Sequence, residues 1–223
     1  MKTIAIVSQK GGAGKTTLAI HLAVAATYAG MNAAVIDLDP QASSAKWADR
    51  RQTALPVVIS AHASRLAHVL ATAKAEGGEL AIIDTAPHSD NAALEAARMA
   101  DGVLVPCRPS ILDLEAIANS LDIAKLAHKP ATVILNAVSP IGSEANEAAE
   151  AITQLGGEAC PVRLVNRVAY ARAIVYGQAA QEYEPHGKAA QEMDMLHKFM
   201  CAHYHILTSS HKGKKHEQIR RRA

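Results

Sequence analysis

Eight consecutive residues, Lys10-Gly11-Gly12-Ala13-Gly14-Lys15-Thr16-Thr17, bring together three glycines, two lysines and two hydroxyls. That set suits a polyphosphate. Glycines let backbone amides close on anionic oxygens with no side chain in the way. Lys15 can reach the terminal phosphates as a mobile cation. The Thr16 hydroxyl can ligate Mg²⁺, and the Thr17 hydroxyl is free to meet an α-phosphate. The run follows an apolar segment and opens a helical one, so the positive end of a helix adds to the field. A glycine-rich turn with no ligand is the bland alternative. The complete GKTT ending in a strand–helix context weighs against it.

Three carboxylates stand where such a site needs them. Asp37 and Asp39 close the run Val35-Ile36-Asp37-Leu38-Asp39-Pro40-Gln41. Strand alternation points both to one side, and at the C-terminal edge of a parallel sheet that side faces the ligand crevice. Capping of the following helix is the competing role, and the two can coexist. Asp84 ends the apolar run Leu80-Ala81-Ile82-Ile83, a Walker B pattern that can hold Mg²⁺ directly or through water. By itself this pattern is common; after a phosphate loop it is specific.

The phosphate loop departs from G-x-x-x-x-G-K-[ST] in one place. Gln9 stands where the first glycine belongs, and Lys10 immediately precedes the double glycine. This resembles the deviant Walker A loop of the ParA/MinD superfamily. Asp37 to Gln41 resembles its DxDPQ switch I, Asp84-Thr85-Ala86-Pro87 its switch II, and Pro109-Ser110-Ile111-Leu112-Asp113 the PSxxD segment of small ParA proteins. The resemblance runs from Lys2 to about Phe199 and is to the small type without an N-terminal helix-turn-helix extension.

The resemblance implies a slow ATPase using ATP and Mg²⁺. Residues Lys10, Gly11, Gly12, Ala13, Gly14, Lys15, Thr16 and Thr17 would hold the phosphates, and Asn136 the adenine, although a strand-end Asn also suits a turn. Lys10 would reach the nucleotide of a partner subunit, so that hydrolysis is tied to a homodimer formed with ATP. Asp39 would orient the attacking water, with Lys10 and Lys15 as the other catalytic groups. Thr16 and Asp84 would hold the metal, supported by Asp37. The implied partners are non-specific DNA and a ParB-like centromere-binding protein. Arg167 falls in a segment the family places near nucleotide and partner. Together with Arg163 and Arg172 it is also a candidate for DNA phosphates, against a plain reading as solvated surface charge.

The elements that must position these residues are legible as short apolar runs alternating with longer helical stretches. Strands are expected at Thr3–Ser8, Ala33–Asp37, Val57–Ile59, Leu80–Asp84, Gly102–Pro106 and Ala131–Asn136, with a weaker one near Pro161–Val165. Helices are expected over Thr16–Ala29, Ala42–Arg51, Ser64–Ala75, Asn91–Ala100, Leu112–Leu126, Glu144–Leu155 and Ala189–His203. That alternation predicts an α/β fold, a mostly parallel twisted sheet with helices on both faces, of the P-loop NTPase kind. Aromatics are only 3% of the chain, so small aliphatic residues must build the core, as in a buried parallel sheet. Met193, Leu196 and Met200, with Phe199 beside them, read as the core face of the last helix.

Residues 1–206 are expected to form one domain and 207–223 a basic tail. From His211 to Ala223 there are six Lys/Arg and one Glu, so the tail carries +5 and the first 210 residues −3. Lys212, Lys214, Lys215, Arg220, Arg221 and Arg222 can neutralise DNA phosphates without reading sequence, since no aromatics accompany them. The tail lacks the large apolar residues of a membrane-binding helix, which argues against a MinD-like membrane anchor and against stable membrane insertion. Cys107, Cys160 and Cys201 are widely spaced and read as reduced thiols rather than a cluster-bridging set. His197, Cys201, His203 and His205 form a small cluster in which His197 and Cys201 can share a helix face and bind a soft metal, but no fourth-ligand pattern or second half-site accompanies it. No export signal or spanning segment is apparent, so a cytoplasmic, nucleoid-associated location is the expectation. Positioning of a protein cluster or a membrane system is the alternative function.

Overall fold

The computed structural model describes residues 1–207. The tail residues Lys212, Lys214, Lys215, Arg220, Arg221 and Arg222 lie outside the described residues.

Seven strands form one sheet: β1 (Lys2–Ile6), β2 (Ala33–Asp37), β3 (Val57–Ser60), β4 (Leu80–Asp84), β5 (Gly102–Cys107), β6 (Ala131–Leu135) and β7 (Glu158–Ala159). Their order is β3-β2-β4-β1-β5-β6-β7, with every pairing parallel. The continuous apolar runs make sense here, because alternate side chains enter different cores. Ile4, Ile6, Val35, Leu80, Ile82 and Leu104 pack on one face with Leu18, Leu22, Met193, Leu196 and Met200. Ala5, Val7, Ile36, Ile83, Val103 and Val105 pack on the other with Ile117 and Leu121. Both faces are dry, so strands read as unbroken hydrophobic runs rather than alternating ones.

The helices are α1 (Lys15–Tyr28), α2 (Ser43–Ala48), α3 (Leu66–Ala75, after a short 3₁₀ turn), α4 (Asp90–Met99), α5 (Ile111–Leu126), α6 (Glu144–Gln154), α7 (Val168–Val175), α8 (Ala180–Tyr183) and α9 (Lys188–His203). Helix α1 lies against the sheet and is covered by α9, α8 and α7. Ten of its residues are buried, which is why it is apolar all round instead of amphipathic.

Three differences from the sequence expectation have physical causes. The last strand is Glu158–Ala159, earlier than Pro161–Val165. Cys160 N donates to Val133 O, but the next donor in the alternation, Val162 N, turns to Cys160 Sγ at 3.4 Å, and pairing resumes only when Leu164 N donates to Leu135 O. Helix α2 stops at Ala48 rather than Arg51, because Arg51 turns away to bond Gly177 O and Glu182. Helices α7 and α8 are additional elements. Their short, β-branched or single-turn sequences carry too little periodicity to read in advance.

Candidate nucleotide site

Sheet register sets the geometry of the site. Ile6 pairs with Asp84 and Asp84 with Asp37, so the phosphate loop and two carboxylates leave the sheet along one line of strand ends. This C-terminal edge is where parallel α/β sheets bind ligands. A cavity of about 420 Å³ opens there, bordered by Gly11, Gly12, Gly14, Lys15, Thr16, Thr17 and Asp39. Pro87, Arg108, Asn136, Asn166, Arg167 and Tyr170 complete its wall.

The loop is shaped for backbone approach. Gly12 and Gly14 have φ of 74° and 98°, a region that glycine enters without strain. Gly14 is the residue before α1, and that helix end has no side-chain cap. Its free amides therefore point toward the cavity mouth as an anion-binding end. A Cβ at Gly14 would lie 2.2 Å from Asn136 Nδ2, so the glycine is required by packing as well as by φ.

Lys15 is buried, and its Nζ donates to Ser8 O at 2.9 Å and Lys10 O at 3.2 Å. Burial lowers its pKa, opposed by the negative charges of Asp84 and then Asp39. Asp84 is fully buried. Burial pushes its pKa up to about 7, opposed first by the nearby Thr16 hydroxyl, helped by the charge of Asp37, and opposed further by Ser44 and Lys15. Its Oδ2 accepts from Ser44 Oγ at 2.9 Å, while Oδ1 is buried with no hydrogen-bond partner. An orphaned carboxylate oxygen is costly and calls for an explanation. A hard cation or its water fits, with Thr16 and Asp84 supplying the oxygen donors.

Asp37 has both oxygens engaged. Oδ1 accepts from Asp39 N at 3.0 Å, and Oδ2 from Ser44 N at 3.0 Å and Ala45 N at 3.2 Å. It therefore holds the switch I loop and caps α2; burial is the first cause that raises its pKa. Asp39 faces the cavity and its Oδ1 accepts from Gln41 N, which fixes the turn.

Lys10 turns away from the cavity. Its Nζ lies 2.7 Å from Asp113 Oδ2, at the start of α5, where Ser110 caps the helix and hydrogen-bonds the same carboxylate. Asn136 lines the cavity, but its Nδ2 donates to Ala13 O and its Oδ1 accepts from Ala137 N. It braces the loop in this geometry.

Of the three arginines singled out by sequence, Arg167 is paired internally. Its Nε and Nη2 both donate to Glu192 Oε1, at 2.8 and 2.6 Å. Glu192 also accepts from Val165 N and Tyr170 Oη. Arg167 thus belongs to the cavity wall and is tied to α9. Arg172 is exposed in a neighbouring depression of about 360 Å³ with Lys188, and Arg163 is half-buried.

Sequence reasoning missed Ser44, Arg108 and Glu192. Ser44 follows the DLDPQ run closely and is a hydroxyl at a helix start, a cue for capping alone. Arg108 is a charge placed directly after six buried strand residues. Glu192 is a carboxylate beside Met193 on the apolar side of α9, a local inconsistency that signals a buried partner.

Residues 4–180 match the family model described as the CobQ/CobB/MinD/ParA nucleotide binding domain. The chain is 32% identical over 200 residues to the maintenance of carboxysome distribution protein A of Gloeobacter kilaueensis, covering 86% of this chain and 89% of that protein. It is 27% identical over 190 residues to protein ParA of Rhizobium radiobacter, covering 79% and 84%. Its fold is similar to that of the septum site-determining protein MinD of Pyrococcus horikoshii, solved with Mg-ADP. The TM-score is 0.70 at 19% identity, over 89% of this chain and 95% of that one.

Proposed function

The chain belongs to the CobQ/CobB/MinD/ParA nucleotide-binding family, and on that premise we propose that it is a MgATP-dependent, dimerising ATPase for DNA partition. The observation that carries this reading is the division of labour between the two loop lysines. Lys15 is buried at the phosphate loop among Asp39 and Asp84, whereas Lys10 is held outside the cavity by Asp113.

In this reading the loop amides, Lys15 and Thr17 bind the phosphates and Asn136 borders the base. Thr16 and Asp84 would hold Mg²⁺, which when bound would supply charge against the phosphate oxygens. Asp39 orients water in line with the terminal phosphorus; the new P–O bond forms as the bond to the ADP oxygen breaks. Asp37 keeps Asp39 in place through its backbone amide. Phosphoryl transfer asks chiefly for positioned charge, so hydrolysis stays slow until Lys10 leaves Asp113 and serves the nucleotide of a second subunit. Arg172, Arg163 and the tail from Lys212 to Arg222 are the candidates for non-specific DNA contact, and a ParB-like protein is the expected stimulator.

Positioning of a protein cluster is the second reading. It is supported by the relative whose name concerns carboxysome distribution, more identical to this chain than the ParA relative over a similar span. Co-sedimentation with non-specific DNA in ATP, ADP and no nucleotide separates the two. DNA binding confined to the ATP state supports partition; equal binding in all three states sinks the switch; no DNA binding with an ATP-dependent dimer intact favours the protein-cluster cargo.

A further inference from the structure

We propose that Arg108 is a same-chain clamp for the terminal phosphate, giving the site its preference for nucleoside triphosphate over diphosphate. The inference rests on the nucleotide-binding reading of the cavity.

Arg108 follows directly on β5, whose six residues are all buried, so its backbone is anchored at the same sheet edge as the phosphate loop. Its side chain lines the cavity, and Nη2 donates to Gly12 O at 2.6 Å. An added Cβ at Gly12 would stand 3.9 Å from the guanidinium, an ordinary contact, so the approach leaves the loop unstrained. Of the other cations lining the cavity, Arg167 is paired with Glu192 and Lys15 is buried and donates to Ser8 O and Lys10 O; Lys10, outside the cavity, is paired with Asp113. Arg108 has no ion pair among the described residues. A single peptide carbonyl engages one of five N–H donors and supplies no countercharge. A guanidinium left without an anion at the lip of a phosphate loop is matched by a phosphate, which offers charge and two coplanar acceptors. Gly12 lies at the exposed start of the loop, three residues before Lys15, and the proposal assigns Arg108 to the same terminal phosphate that Lys15 serves.

The alternative is that Arg108 only braces the loop through Gly12 O. The two differ in which nucleotide feels the loss. Full-length Arg108→Ala and Arg108→Lys are titrated calorimetrically with Mg-AMPPNP and with Mg-ADP, in the wild-type and Lys10→Ala backgrounds. Arg108→Ala is expected to weaken AMPPNP about tenfold or more, with ADP changed less than about threefold, and lysine to restore part of the difference. Equal loss for both nucleotides, or no loss, overturns the proposal. The loss for AMPPNP should persist when Lys10→Ala has removed the cross-subunit lysine. If it vanishes there, Arg108 serves the partner's nucleotide and the same-chain clamp is wrong. Wild-type protein that binds neither nucleotide refutes the cavity assignment itself, a failure distinct from an unchanged triphosphate preference in the variant.

Discussion

His21 lies on α1 one turn past Thr17, and it is completely buried. Its Nδ1 is 2.7 Å from Thr17 O; a carbonyl only accepts, so Nδ1 carries the hydrogen. Nε2 is buried with no partner, and protonating it would place a second N–H where nothing accepts. Tyr170 meets the ring edge-on at 5.1 Å. Burial lowers the pKa from 6.5 to about 4, against weaker opposing effects of Thr17 O and Glu182. The unfolded chain therefore binds more protons than the native one between about pH 6.5 and pH 4, and stability falls as pH drops through that window. Integrated from about pH 7.5 to about pH 5, the loss is ~2 kcal/mol, and it approaches ~3 kcal/mol below pH 4. For a domain of this size ~2 kcal/mol is ~4–8 °C in Tm. Asp84 works the other way. Its carboxyl is raised to about 7, so the native state holds its proton longer than the unfolded chain and loses that advantage as pH rises from about 4 towards 7. The net slope mixes these with Asp37, raised by burial, and His197, lowered by burial, and the comparison that isolates His21 is with His21→Asn, which keeps a donor for Thr17 O and does not titrate. Urea melts of both proteins at the two pH values are expected to show the wild type losing ~2 kcal/mol more than the variant. Equal losses would refute the burial argument.

Three further outcomes follow from contacts around the site. Asp113→Asn releases Lys10 while retaining the side-chain volume; a half-exposed ion pair contributes up to ~1 kcal/mol per subunit, so the ATP-state dimer should tighten up to ~30-fold in sedimentation velocity, and a weaker dimer would contradict the restraining role. Trp47 is fully buried, donates to Gln178 O at 3.0 Å and carries Arg51 over its ring at 4.4 Å. Trp47→Ala should cost ~3–5 kcal/mol in urea unfolding, and a loss under ~1 kcal/mol would mean that this contact between α2 and the α7–α8 turn is dispensable. Asp39→Ala should lower ATP turnover ~100-fold or more while leaving nucleotide affinity near wild type, and normal turnover would exclude it as the group that orients water.

Much of this site is readable in one dimension because its parts are strand ends. Asp37 and Asp84 each close an apolar run, and sheet register then sets them side by side. The glycine loop announces itself because Gly12 and Gly14 take positive φ angles that other residues rarely adopt. What could not be read is what depends on distant partners. Glu192 looks like a flaw in the apolar face of α9 until Arg167, 25 residues earlier, is seen to pair with it. Asn136 has a strand-end position that suits a base, yet its amide is taken by Ala13 O. Lys10 was legible as special from its place before the double glycine, but its resting partner Asp113, 103 residues away, was not. Helices α7 and α8 owe their existence to the surface of α1 that they cover, a tertiary demand that local periodicity does not record.

We propose that this chain is a switch whose dimer depends on the terminal phosphate and on Lys10. Multi-angle light scattering of wild type and Lys10→Ala, each with Mg-ADP and with a slowly hydrolysed Mg-ATP analogue, tests it most directly. The wild type is expected to be a dimer only with the triphosphate, and Lys10→Ala a monomer under both conditions that still binds nucleotide. A wild-type mass that is the same in both nucleotides, or a Lys10→Ala protein that dimerises like wild type, would contradict it.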